Sequence, residues 1–270
     1  MKGAIIGDIV GSIYEFNNIK EKDFPFFGKG CFFTDDTVMT VAVADALLTT
    51  VKRPVNDAGM LEYFRRCMRQ WGRRYPLAGY GNKFLQWIMD KDSKPYYSCG
   101  NGSAMRVSPI GFWAGSLEEC EHLALLSAMV SHNHPDGVAG AEATAGAVYL
   151  AHHGAAKDEI KAYVEKFYKM DFTLDEIRPD YYFGHFQALN EGTVPYAVEA
   201  FLESNSFEEA IRNVISIGGD SDTLAAITGA IAEAYYGVPD DLWETVEKEY
   251  LDYFPKRVVR EFYEAVENRK

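Results

Sequence analysis

Residues 215–237 read ISIGGDSDTLAAITGAIAEAYYG, and the fold of the whole chain turns on this stretch. Gly218 and Gly219 precede Asp220, Ser221, Asp222 and Thr223. Leu224, Ile227 and Ile231 then recur at helical spacing among Ala225, Ala226, Gly229, Ala230 and Ala232. Between Thr223 and Gly237 only Glu233 is charged. A helix that is apolar on nearly every side is a buried helix, and small residues let its neighbours approach backbone-close. Two carboxylates nevertheless open it. Helix N-termini welcome acids, but unpaired charge carried into a core is costly.

Residues 33–50, FTDDTVMTVAVADALLTT, follow the same plan. Thr34, Asp35, Asp36 and Thr37 lead into Val38, Met39, Val41, Ala42, Ala44, Leu47 and Leu48. If the two openings meet, Asp35, Asp36, Asp220 and Asp222 converge, and mutual repulsion raises their pKa values unless a cation lies among them. Carboxylate and hydroxyl oxygens without cysteine suit a hard divalent ion: magnesium, manganese or calcium. Capping alone accounts for either motif taken singly. The pair points to metal.

The chain has 270 residues, 47% of them hydrophobic, enough for one large domain spanning 1–270. A net charge of −13 argues against non-specific binding to nucleic acid or to an anionic membrane. Cys31, Cys67, Cys99 and Cys120 are widely spaced and read as free thiols of a reducing compartment. The opening MKGAIIGDIVGS is interrupted by Asp8 and is no signal peptide. No run approaches the ~20 apolar residues that span a bilayer. The expectation is a soluble, cytoplasmic monomer.

The remaining segments also read as helices. Residues 3–15 form a glycine-tolerant buried helix, within which Asp8 is either a hydrogen-bonded buried acid or a neighbour of the metals. The loop from Glu15 to Phe33, hinged at Gly28 and Gly30, suits a lid. Arg65, Arg66 and Arg69 read as the solvated face of a helix carrying Met60, Phe64 and Trp71. Phe84 to Ile88 suggest a short helix. In SCGNGSAMR, residues 98–106, glycines beside Asn101 can turn backbone N–H groups toward an oxyanion. Ser116 with Glu119, and Ser206 with Glu209, read as capping boxes. His132 and His134 read as hydrogen-bonding loop residues rather than a chelating pair, and Asp136 as the cap of a helix over 137–153. Residues 156–169 and 193–216 are amphipathic helices, and two more start at Pro239–Asp240 and Pro255. No segment alternates as a strand does. The fold class is all-α, a compact multi-helix bundle.

Taken in order, Gly7–Asp8, Gly11–Ser12, Glu15, Thr34–Asp35–Asp36–Thr37, Gly100–Asn101–Gly102, Ser131–His132 and Gly219–Asp220–Ser221–Asp222–Thr223 resemble the motifs of the ADP-ribosylglycohydrolases, over essentially the whole chain. The resemblance implies the orthogonal all-helical fold of that family and a hydrolase with two divalent cations, Mg2+ or Mn2+. It implies Thr34, Asp35, Asp36, Asp220, Asp222 and Thr223 as metal ligands. Glu15 would approach metals and substrate from a mobile flap. Ser98, Gly100, Asn101 and Gly102 would cradle a diphosphate, with His132 at the distal ribose or phosphate. Some relatives carry an aromatic residue where Cys99 stands, a place that Tyr96 or Tyr97 could fill.

The implied reaction cleaves the bond between ADP-ribose and a protein side chain or small-molecule aglycone, with Glu15 or Asp36 as general acid or base. Two rivals remain at this point. A magnesium-dependent phosphoesterase needs a similar metal pair, and a non-catalytic ADP-ribose-binding protein could retain the fold.

Overall fold

The computed structural model describes residues 1–181 and 188–269. Among these, regular structure is helical throughout. In chain order the helices are α1 (Lys2–Gly11), α2 (Asp35–Lys52), α3 (Asp57–Arg74), α4 (Asn82–Met89), α5 (Gly102–Met105), α6 (Ser108–Trp113), α7 (Leu117–Met129) and α8 (Pro135–His152). They continue with α9 (Lys157–Val164), α10 (Leu174–Ile177), α11 (Val194–Leu202), α12 (Phe207–Ile215), α13 (Ser221–Tyr236), α14 (Asp240–Glu249) and α15 (Tyr253–Glu267). No helix among the described residues is long and apolar enough to cross a membrane.

The bundle is assembled around α13, whose residues from Ser221 to Glu233 are all buried. It packs against α1, α11, α12 and α8, while α8 also carries α5, α6, α7 and α9. The closest pairing is between α1 and α13, and the glycines explain it. A Cβ at Gly3 would collide with the Gly229 carbonyl, one at Gly7 with that of Ala225, and one at Gly11 with Ser221 and Asp222. The steps run in opposite directions along the two helices, so they are antiparallel. The end of α1 therefore abuts the acidic start of α13. Glu233, the lone charge of the apolar run, accepts from the Met1 ammonium and the Gly3 N–H at 2.7 Å each.

A second tie fixes α2. The Asp8 carboxylate on α1 accepts from Thr34 N–H at 2.9 Å, Thr34 Oγ1–H at 2.7 Å and Thr37 N–H at 3.0 Å. Thr34 in turn caps α2 through Asp36 N–H. The capping expected of the acids is thus supplied by a threonine and by another helix's aspartate.

Several local expectations change. Arg69 is buried, because its guanidinium fork serves the Trp87, Lys91 and Ser93 carbonyls that α4 and its exit leave unpaired. His134, not Asp136, caps α8: its Nδ1 accepts from Asp136 N–H, and Pro135 occupies the first turn. Ser116 and Ser206 cap as expected, but Glu119 and Glu209 reach one residue further back, to Gly115 and Asn205. Residues 193–216 divide into α11 and α12.

Candidate active site

The starts of α2 and α13, the exit of α1 and the 98–106 segment enclose a cavity of about 650 Å³. Thr34, Asp35, Asp36, Asp220, Asp222 and Thr223 line it at one end. Glu15, Ser98, Gly100, Asn101, Gly102 and His132 line it as well, so one cavity collects every site residue that the sequence nominated.

The acidic end is very dense. Oxygen atoms of Asp8, Asp36 and Asp222 lie within 4.8 Å of one another, and so do those of Glu15, Asp220 and Asp222. Asp222 belongs to both groups. Thr223 Oγ1 donates to Asp36 Oδ2 at 3.2 Å. Asp220 stands at the N-cap of α13 without making a side-chain cap bond, which leaves its carboxylate for other work. Asp36 Oδ1 is buried with no hydrogen-bond partner among the described residues.

Repulsion and burial act together here. Burial, then the Asp222 charge, pushes Asp8 up to about 7, although the Thr34 and Thr37 bonds pull it back. Burial followed by Asp222 and Asp8 pushes Glu15 up to about 8. Asp35, Asp36 and Asp220 are all raised well above the ordinary carboxylate range, by burial first and Asp222 second. The groupings contain only carboxylates, and Asp36 keeps an orphaned oxygen. These residues fit hard divalent cations: oxygen donors, excess negative charge and an open coordination position. Asp8, which the sequence left between two readings, is both a hydrogen-bonded buried acid and a member of the cluster.

The opposite end is held by neutral side chains. Asn101 donates through its amide to Asp220 Oδ2 at 2.7 Å and to Thr193 Oγ1 at 3.1 Å, so this side chain ties the loop to the acids. The Gly100 N–H is taken by Ser98 Oγ, and the Asn101 N–H by the Ala188 carbonyl. The N–H groups of Gly102 and Ser103 have no hydrogen-bond partner among the described residues. The unpartnered N–H groups of this loop therefore lie slightly later than Gly100–Asn101.

Asn190, which sequence reasoning missed, sets this loop. Its Nδ2 reaches the carbonyls of Gly100 at 2.9 Å and Asp136 at 3.1 Å, and a Cβ on Gly140 would run into its amide. His132 Nδ1 lies 2.8 Å from Ser131 Oγ, and His134 Nδ1 serves the α8 cap, so both rings hydrogen-bond within their loop. Tyr96 lines the cavity; Tyr97 is exposed and packs on His134.

The segment expected to be a lid is fastened in this conformation. Asn18 donates to the Gly219 carbonyl and accepts from the Gly219 N–H, both at 2.9 Å. Lys20 donates to the carbonyls of Ile217 and Tyr181. Gly219 has φ +81°, a conformation that disfavours side chains. That turn presents Asp220 to the cavity.

The family profile described as ADP-ribosylglycohydrolase matches residues 1–268. Mouse "ADP-ribosylhydrolase ARH3" is 27% identical, over 98% of this chain and 91% of that protein. The "ADP-ribosylarginine hydrolase Tri1" of Pseudomonas putida is 27% identical, over 97% of this chain and 76% of its own. A solved structure titled "ADP-ribosylglycohydrolase-related protein complex" superposes with a TM-score of 0.68 at 24% identity, covering 98% of this chain and 95% of its own. That likeness is one of fold.

Proposed function

The chain belongs to the ADP-ribosylglycohydrolase family, and from that premise we propose that it is a divalent-cation-dependent hydrolase of ADP-ribose conjugates. One observation carries the reading. Asp36 and Asp222, remote in sequence, share a buried carboxylate cluster that includes an oxygen without a partner. Thr34, Asp35, Asp36, Asp220, Asp222 and Thr223 would hold two cations, Mg2+ or Mn2+, with Asp8 fixing Thr34 from behind. When bound, the cations supply the positive charge that grips the ribose hydroxyls and makes water a better nucleophile.

The chain's own groups account for the rest. The Gly102 and Ser103 N–H groups receive phosphate oxygens at the start of α5. Asn101 couples that loop to Asp220, so phosphate placement and ribose placement are set together. Glu15 sits beside Asp220 and Asp222, and its carboxyl, raised to about 8, keeps a proton near neutrality in the cation-free protein. Glu15 or Asp36 takes a proton from the attacking water or gives one to the leaving atom. The bond from ribose C1 to nitrogen or oxygen breaks, water adds at C1, and ADP-ribose leaves with the freed amine or alcohol.

The test is a panel of ADP-ribose conjugates incubated with Mg2+, Mn2+ or chelator, with products identified by mass. Free ADP-ribose that appears only with cation is expected. Release of phosphate or a nucleotide instead, or tight ADP-ribose binding with every conjugate intact, would overturn the reading in favour of a phosphoesterase or a binding protein.

A further inference from the structure

Arg106 is fully buried, and Nε and Nη1 of its guanidinium have no hydrogen-bond partner among the described residues. Nη2 donates to the Ser127 carbonyl at 2.8 Å and to Ser131 Oγ at 3.0 Å. Ser131, also fully buried, touches His132 Nδ1 at 2.8 Å. His132 is 4% exposed and lines the cavity, and its Nε2 edge faces the phosphate loop. A Cβ at Gly102 would stand 3.0 Å from Nε2, and one at Gly100 3.8 Å. Nε2 has no hydrogen-bond partner among the described residues.

Donor counting settles how this chain is polarised. A guanidinium only donates, so Ser131 Oγ must accept from Arg106. The single hydroxyl proton of Ser131 then has one acceptor within reach, His132 Nδ1. A neutral imidazole that accepts at Nδ1 carries its proton on Nε2. We propose that Arg106 and Ser131 are positioning residues that lock His132 as the Nε2–H tautomer, aiming a hydrogen-bond donor at an anionic phosphoryl oxygen of the substrate beside Gly102. The proposal deepens the hydrolase reading and rests on it for the ligand.

The surroundings support this assignment. Burial and then the Arg106 charge hold His132 well below its usual pKa, so the ring is neutral near pH 7 and its tautomer is defined. Phe84 and Tyr96 pack around the imidazole, their ring centroids 6.1 and 5.9 Å away, and offer no competing carboxylate. Arg106 borders the cavity but is fully buried, and its one cavity-directed hydrogen-bond link runs through Ser131 to His132. Its charge polarises the hydroxyl and the imidazole in the sense that favours an anion at Nε2.

The test is the 15N spectrum of histidine-labelled protein at neutral pH, with His132 identified by its loss in His132→Gln. The wild type is expected to show a protonated Nε2 and an unprotonated Nδ1 at this ring. In Ser131→Ala the tautomer preference should weaken and ADP-ribose should bind roughly tenfold less tightly, the loss of one charge-assisted bond. An Nδ1–H tautomer in the wild type would overturn the proposal without any variant having to fold. So would a folded Ser131→Ala protein that binds ADP-ribose with unchanged affinity. A protein that cleaves no conjugate yet gives the expected spectrum and affinity change would sink the hydrolase reading alone.

Discussion

The two ends of the cavity are built by opposite means. At the acidic end, backbone meets backbone: α1 and α13 touch through glycines, and the carboxylates ride on helix starts held by that contact. At the loop end, position comes from side-chain amides and hydroxyls, with Asn190, Asn101 and Ser131 reaching main-chain and polar atoms far away in sequence. Rigid helical packing suits a site that must hold like charges together against their repulsion. Hydrogen-bonded loops suit an end that must present N–H groups to an anion. Asn101 joins the two ends through Asp220.

Substitutions at each end should therefore fail in different ways. The largest effect belongs to Asp36→Ala or Asp222→Ala, which should cut cation-dependent ADP-ribose release by roughly three orders of magnitude or more. The same variants should raise the melting temperature of the cation-free protein, since each removes a buried member of a cluster whose ionisation burial and mutual repulsion oppose. Steady-state turnover and a thermal melt in chelator check both halves. Unchanged turnover in both variants would break the assignment.

Next comes the helix contact behind the acids. Gly7→Ala forces a Cβ into the Ala225 carbonyl and should lower the melting temperature by roughly 3 to 10 °C. It should also cost roughly ten- to a hundredfold in turnover by displacing Glu15 and Asp222, with no reacting group altered. At the loop end, Asn190→Ala should weaken ADP-ribose binding roughly tenfold. Its Mn2+ affinity should stay within about twofold, because Asn190 lies outside both carboxylate groups. Calorimetric titration with each ligand separates the two. An equal loss of both would show that the Asn101–Asp220 link carries the whole disturbance across to the acids.

The smallest signal is a slope with pH. Asp8 and Glu15 are raised to about 7 and about 8, so the folded protein holds protons that the unfolded chain has released. Their contribution to stability is fully present below about pH 4 and is lost as pH rises through 7 and 8. In chelator, the melting temperature should fall by several degrees between pH 5 and 8, with roughly 2 to 3 kcal/mol from the buried Asp8 and less from the partly exposed Glu15. Saturating Mg2+ should flatten or reverse that slope, since it replaces the protons. A chelator-treated protein that becomes more stable over this range would contradict this charge balance.

The acidic end was readable in the sequence because it breaks a pattern: charge entering an otherwise apolar helix is visible one residue at a time. Asp220 and Asp222 stand out for that reason, as do Asp35 and Asp36. Asp8 was harder, since its partners Thr34 and Thr37 lie in the next helix and two of the three bonds go to main-chain N–H groups. The loop end resisted reading more strongly. Asn190 acts on carbonyls, which every residue possesses, so nothing in its neighbours marks it. Arg69 misled for a related reason: helical periodicity placed it beside Arg65 and Arg66, but unpaired carbonyls after α4 drew it inward. The segment that suits a lid gave no sign of its anchors, since Asn18 and Lys20 hold it to main-chain atoms of the turn that presents Asp220.

The central claim is that Asp36 and Asp222 face one another across bound divalent cations. Anomalous diffraction from a crystal soaked in saturating Mn2+ tests it most directly. The account predicts manganese peaks between those two carboxylates, with oxygen ligands from the α2 and α13 starts. A fully occupied soak in which neither Asp36 nor Asp222 touches an ion would contradict it.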